Sequence, residues 1–194
     1  MASGAGNDGD RDFKFEISDF RWKTRRGKRT RGGARKILER AMSEISRILD
    51  QMDRAMVGEA WHGPALEPLL EGISAEQASM HPVRGAHSIW EIVNHLAAWN
   101  RIVHRRFAGT PVDVTPEMDW PPVWEVSETE WRRSLENLRE SRAQFRAAVA
   151  AVRDEELSAA PAGTEWSRYA TLHGVVQHDL YHAGQIAVVK KALG

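Results

Sequence analysis

Apolar residues recur at helical spacing through four long stretches of this chain. Between Ile37 and Ala60 they fall at Ile37, Leu38, Ala41, Ile45, Ile48, Leu49, Met52 and Met56, which is one face of a helix over several turns. Gly63 and Pro64 interrupt the pattern. Pro64 suits the first turn of a short helix through Leu70, and Gly72 is its natural stop. The segment from Ser74 to Gly85, with Pro82 and Gly85 as breakers, reads as a connector.

The second long helix is expected from Ser88 to Phe107, with a stripe of Ile89, Ile92, Val93, Leu96, Val103 and Phe107 and with Gly109 and Pro111 ending it. TPVDVTPEMDWPPVW follows, with four prolines and two tryptophans, and reads as a rigid aromatic loop rather than a regular element. Ser127 and Glu130 have capping-box spacing and open a third helix that carries Trp131, Leu135, Leu138, Phe145 and Val149. Pro161 and Gly163 close the connection to a fourth helix from Arg168 to Leu193, whose buried positions are expected at Val175, Ile186, Val189 and Leu193. No strand-like alternation competes. The pattern predicts an all-α fold, an antiparallel four-helix bundle over residues 37–194, in which cofactor sites are made from side chains on facing helices.

Charge changes the picture at one end only. The chain of 194 residues balances 27 Lys/Arg with 27 Asp/Glu, yet residues 1–36 hold 11 against 5, which leaves the remainder at a net −6. The excess concentrates in FRWKTRRGKRTRGGARK, Phe20 to Lys36. Such a segment cannot bury enough apolar surface to fold alone, so residues 1–36 are expected to be a disordered basic tail. One reading gives it nucleic acid or another acidic surface as partner through phosphate neutralisation. The plainer reading is a dispensable extension, with Met42 or Met52 as the natural start of the domain. No apolar run approaches the roughly 20 residues that span a bilayer, and no secretory h-region is present, so a cytoplasmic protein without membrane contact is expected.

The chain has no cysteine, which excludes disulfides, thiolate metal sites and a cysteine nucleophile. Histidine and carboxylate remain as strong metal ligands. His178 and His182 lie four apart in TLHGVVQHDLYHAG, so both imidazoles leave one face of the fourth helix, on its apolar stripe. His95 lies on the inner edge of the second helix, between Ile92 and Trp99. If the two helices pack together, three imidazoles converge on one divalent ion and leave an open position, the arrangement of catalytic rather than structural metal sites. Histidines at this spacing also arise on helices by chance.

The other histidines rank lower. His62, His81 and His87 fall at helix starts or connectors, His104 stands beside Arg105 and Arg106, and His173 is about 140° round the helix from His178. His178-Asp179-Leu180-Tyr181-His182 echoes the HExxH signature with Asp in place of Glu, which would make Asp179 a general base; a solvent-facing charge or a carboxylate orienting a neighbour are the alternatives. Glu91, one turn before His95, is either an acceptor behind that ligand or an exposed helix pair.

EAWHGPALEPLLEGISAEQA, GAHSIWEIVNHLAAWN, DWPP and LHGVVQHDLYHAGQI, in this order, resemble the DinB/YfiT-like superfamily from about Met42 to the C-terminus. The resemblance implies an up-down-down-up four-helix bundle, often a homodimer, with a divalent metal held by three histidines that match His95, His178 and His182. It also implies an enzyme that activates a low-molecular-weight thiol such as bacillithiol or mycothiol, although many members have no established reaction.

The expected function is therefore a metal-dependent thiol S-transferase or detoxifying hydrolase, using zinc or nickel to activate a thiol or water for a small-molecule substrate. Gln185 and Tyr181, near His182, orient substrate or a water, or else simply pack the bundle. Trp99, Trp120 and Trp124 wall an apolar pocket, or fill core and dimer interface. A non-catalytic metal-containing stress-response or binding bundle is the alternative, and nucleic-acid binding through the basic tail a third.

Overall fold

In the computed structural model, which describes residues 43–194, every regular element is helical and no strand occurs among the described residues. The basic tail and the expected start of the first helix at Ile37 lie outside the described residues. No helix among them is long and apolar enough to cross a membrane.

Helix α1 spans Glu44–Met56. Its free N-terminal amides are met twice: Ser43 Oγ accepts from the Ser46 N–H, and the Asp154 carboxylate accepts from Glu44 N–H at 2.8 Å and Ile45 N–H at 3.1 Å. The helix stops short of the expected Ala60. Glu59 adopts φ +52°, and its carbonyl accepts from Arg54 Nη1, which turns the chain out of the helix. Helix α2, Leu66–Leu70, buries Leu66 and Leu70; Pro64 precedes it instead of occupying its first turn.

The supposed connector after Ser74 contains a helix, α3 (Ala75–Ser79), closed by a reciprocal capping box between Ser74 and Gln77. Helix α4, Ile89–Phe107, is capped in the same way by Ser88 and Glu91 and buries eleven of its residues, among them His95 and Asn100. The proline-rich loop also holds one regular turn, α5 (Pro116–Asp119), with Thr115 as cap and Pro116 in first position, where its missing N–H costs nothing.

Helix α6 covers Glu128–Ala150. Only half of its expected capping box forms: Ser127 Oγ accepts from Glu130 N–H, while the nearby Glu128 carboxylate accepts from Ala75 N–H at 2.8 Å and caps α3 instead. A single 3₁₀ turn at Asp154–Glu156 follows, and then α7, Arg168–Ala192.

Helix α4 packs along α6, and α7 rests on α1, α2 and α4. The apolar interior falls into two clusters. One gathers Trp90, Ile92, Leu96, Trp131, Leu138 and Ile186; the other gathers Ile45, Ile48, Met52, Val103, Phe145 and Leu172. Between these sequence positions lies a buried polar knot centred on Arg142. Its guanidinium donates to the Met52 carbonyl at 3.0 Å and to Asn100 Oδ1 at 3.5 Å, and Nη2 lies 2.8 Å from Asp179 Oδ2. One side chain of α6 thus ties α1, α4 and α7 together. A charge this deep is tolerated only because it has a carboxylate and two further acceptors.

Candidate metal centre

His95 projects from the middle of α4, and His178 and His182 from successive turns of α7. Packing of these helices sets His95 Nε2 at 2.9 Å and His182 Nε2 at 3.0 Å from His178 Nε2. The three form a cluster whose ligand atoms all lie within 4.8 Å of one another, and His95 and His182 are buried.

The other ring nitrogens explain why these atoms face inward. His95 Nδ1–H donates to the Asp119 carbonyl at 2.7 Å, and His182 Nδ1–H donates to Gln185 Oε1 at 2.6 Å. Both rings are thereby fixed in the tautomer that leaves a lone pair on Nε2, the arrangement that orients metal-bound imidazoles. Burial is the largest influence on all three. It pushes His178 and His182 down to about 4, reinforced at His178 by the neighbouring imidazoles and opposed at His182 by Gln185, and it lowers His95 against the pull of Asp119. The rings are neutral near pH 7.

This donor set fits a metal ion. His178 can give one Nε2–H to only one of two lone pairs, and in its other tautomer three lone pairs meet. A divalent cation engages all three nitrogens at once, as neutral imidazole does toward first-row ions.

The aromatic frame draws on the proline-rich segment, α4 and the residue before its cap. Trp120 lies stacked between His95, 4.0 Å between centroids, and His87, 3.6 Å. Trp99 stands with its ring 6.0 Å from that of His178 and donates Nε1–H to Asp119 Oδ1 at 2.7 Å. Asp119 therefore holds a ligand ring through its carbonyl and a cavity wall through its carboxylate. Trp124 is 89% exposed and takes no part in this frame.

The remaining candidates separate clearly. Glu91 does not back His95: its carboxylate accepts from Ser88 N–H at 2.8 Å and lies 3.0 Å from His81 Nε2, so it closes the α4 cap. His87 belongs to the aromatic frame as well as to that cap, and is more than a connector residue. Asp179 is buried against Arg142 instead of facing solvent, and burial pushes it up to about 6 against the opposing charge of Arg142. Tyr181 is 64% exposed, with its ring edge-on to His182. His173 does not join the cluster.

Asp119 and the Gln185–His182 bond carry the site's orientation, and only part of this was readable beforehand. Gln185 has the i, i+3 spacing that brings side chains together on a helix. Asp119 sits in the DWPP string, but a backbone carbonyl that reaches a ring 24 positions away leaves no side-chain signature.

A cavity of about 820 Å³ opens beside the cluster, with His95, His178 and Trp99 in its wall. A second, of about 310 Å³, lies by His87, Tyr181 and Gln185.

A family model described as the DinB superfamily matches residues 60–186. No curated protein and no solved structure gives a significant match to the chain.

Proposed function

This chain belongs to the DinB superfamily, and from that premise we propose that it is a metal-dependent enzyme, a thiol S-transferase or a detoxifying hydrolase, with the four long helices arranged as the antiparallel bundle of that family. His95, His178 and His182 would hold one divalent ion, zinc or nickel. The observation that carries the reading is the convergence of three Nε2 atoms, two of them fixed from behind by Asp119 and Gln185. Bound there, a divalent ion supplies charge that lowers the pKa of a coordinated thiol or water, giving a nucleophile near neutral pH.

The chain's own groups define the rest. Asp119 and Gln185 set the direction of the ligand rings, so that little reorganisation is needed when substrate arrives. Trp99 and Trp120 cover the cluster with apolar surface, which limits water and strengthens charge interactions inside. The adjacent cavity, about 820 Å³, has the size of a small-molecule site and favours catalysis over a closed, purely structural centre.

The test is elemental analysis of untagged protein together with His95→Ala and His178→Ala. About one equivalent of zinc or nickel in the parent, absent from both variants, is the expected result, in line with a three-imidazole site. A parent that takes up neither ion after incubation overturns the reading. Turnover of thiol and electrophile pairs by the loaded protein then separates transferase from hydrolase.

A further inference from the structure

The larger cavity extends well beyond the histidines. Along α4 its wall runs from His95 to Arg106, about 16 Å by helical rise. On the facing side α7 begins beside the end of α4: Ala162 N–H donates to the Arg106 carbonyl, and the Arg168 guanidinium lies over the Phe107 ring. A ligand that touches the histidine cluster therefore has room to reach the far end of α4.

Three polar atoms in this wall are buried without a conventional hydrogen bond, and one of them, Asp179 Oδ2, is met by the Arg142 guanidinium at 2.8 Å. The two without any partner are Arg106 Nε, on α4, and His173 Nε2, on α7. Arg106 uses Nη2 to hold the Val112 carbonyl at 2.9 Å, so the guanidinium is fixed while its Nε–H is unsatisfied. Buried polar groups nearly always find partners, so an unpaired one in a cavity wall calls for a water, an ion or a ligand group to complete it. Between these atoms and the histidines the lining is largely apolar, with Leu96, Trp99, Val103 and Val175.

We propose that this cavity binds an elongated, apolar-bodied carboxylic acid, its carboxylate seated on Arg106 with His173 as a second polar contact and its other end at the three-histidine cluster. The proposal rests on the metal reading only for what happens at that other end. A guanidinium held in place by one backbone contact and with an N–H still unpaired can recognise a carboxylate geometrically as well as by charge. Asp119 and Asp179 stand in the same wall, so a dianion such as a phosphate monoester meets more repulsion than a carboxylate with a single charge.

Calorimetric titration of metal-free protein with octanoate and with octanol at about pH 8 tests this, since the two probes share a chain and differ in the head group, which is ionised in octanoate. The expected result is octanoate bound about tenfold or more tightly than octanol by the parent. In Arg106→Met the ratio should collapse to near one, and in His173→Phe octanoate should weaken severalfold. If Arg106→Met does not fold, Arg106→Lys, which lacks Nε–H, should still lower the preference severalfold. Equal affinity for the two probes in the parent overturns the proposal, as does a preference that survives Arg106→Met or Arg106→Lys unchanged. Metal uptake retained in Arg106→Met with the octanoate preference lost separates this site from the metal reading.

Discussion

At Asp179 the interior holds a carboxylate against the Arg142 guanidinium, 2.8 Å away, whereas at the adjacent His178 it holds three imidazoles pointed at one another. Both clusters are polar, both are largely buried, and both join α4 to α7. They differ in what completes them. The Arg142 knot carries its own countercharge and ties three other helices through Met52, Asn100 and Asp179. The histidine cluster has its outward nitrogens anchored by Asp119 and Gln185, while its inward nitrogens share no donor sufficient for all of them. The first arrangement serves cohesion, and the second presents converging lone pairs of the kind a cation takes. Neighbouring residues of one helix can thus be given to stability and to function, because successive positions leave the axis about 100° apart.

The comparison breaks most visibly at Arg142. Arg142→Met leaves Asp179 as a buried carboxylate without a partner, and urea unfolding should show a loss of about 3–5 kcal/mol. The double variant Arg142→Met with Asp179→Leu should recover most of that loss. A double variant as unstable as the single one would show that the knot contributes through more than its charge pair.

At the histidine cluster the expected effects fall on metal instead. His178→Ala should lose the bound ion with less than about 1.5 kcal/mol change in metal-free stability, read by metal analysis and urea unfolding side by side. Gln185→Ala, which frees the His182 ring, should weaken metal affinity about 10- to 100-fold in a chelator competition. An unchanged affinity would remove Gln185 from the orienting role.

Acid separates the clusters further. His178 and His182 are held down to about 4, so in metal-free protein the unfolded chain binds protons that the folded one refuses between about pH 6.5 and 4. Stability from these groups is complete above the upper value and declines as pH falls through the lower. Asp179, pushed up to about 6, acts in the opposite sense over part of this window, but the imidazoles outnumber it. The midpoint of thermal unfolding should fall as pH drops through the window, and the slope should flatten in a His178→Ala, His182→Ala double variant. A slope unchanged in that variant would place the acid sensitivity elsewhere.

The smallest effect belongs to the α4 cap. Glu91→Gln keeps the capping geometry but removes the charge beside His81, His87 and the helix N-terminus, and should cost about 0.3–1 kcal/mol. Metal affinity should not move, since Glu91 contacts no ligand ring.

What the sequence by itself determined is local. Ser88 and Ser127 mark their helix starts because an N-cap needs only its own next three residues. The pairing of His178 with His182 follows from helical spacing, and their place on the second and fourth long helices with His95 followed from periodicity and from a family resemblance that the match over residues 60–186 supports. Helix α3 was also legible in principle, since Ser74 and Gln77 have capping-box spacing, but its five residues are too few to show periodicity.

Only the tertiary structure decided which partners those residues take. Asp179 went to Arg142 instead of to solvent, and Asp119 to both His95 and Trp99 across more than five turns' worth of chain. Each of these choices is made between helices or through a backbone carbonyl. Spacing along the chain fixes which face a side chain leaves from, but the packing of one helix on another fixes what that face meets.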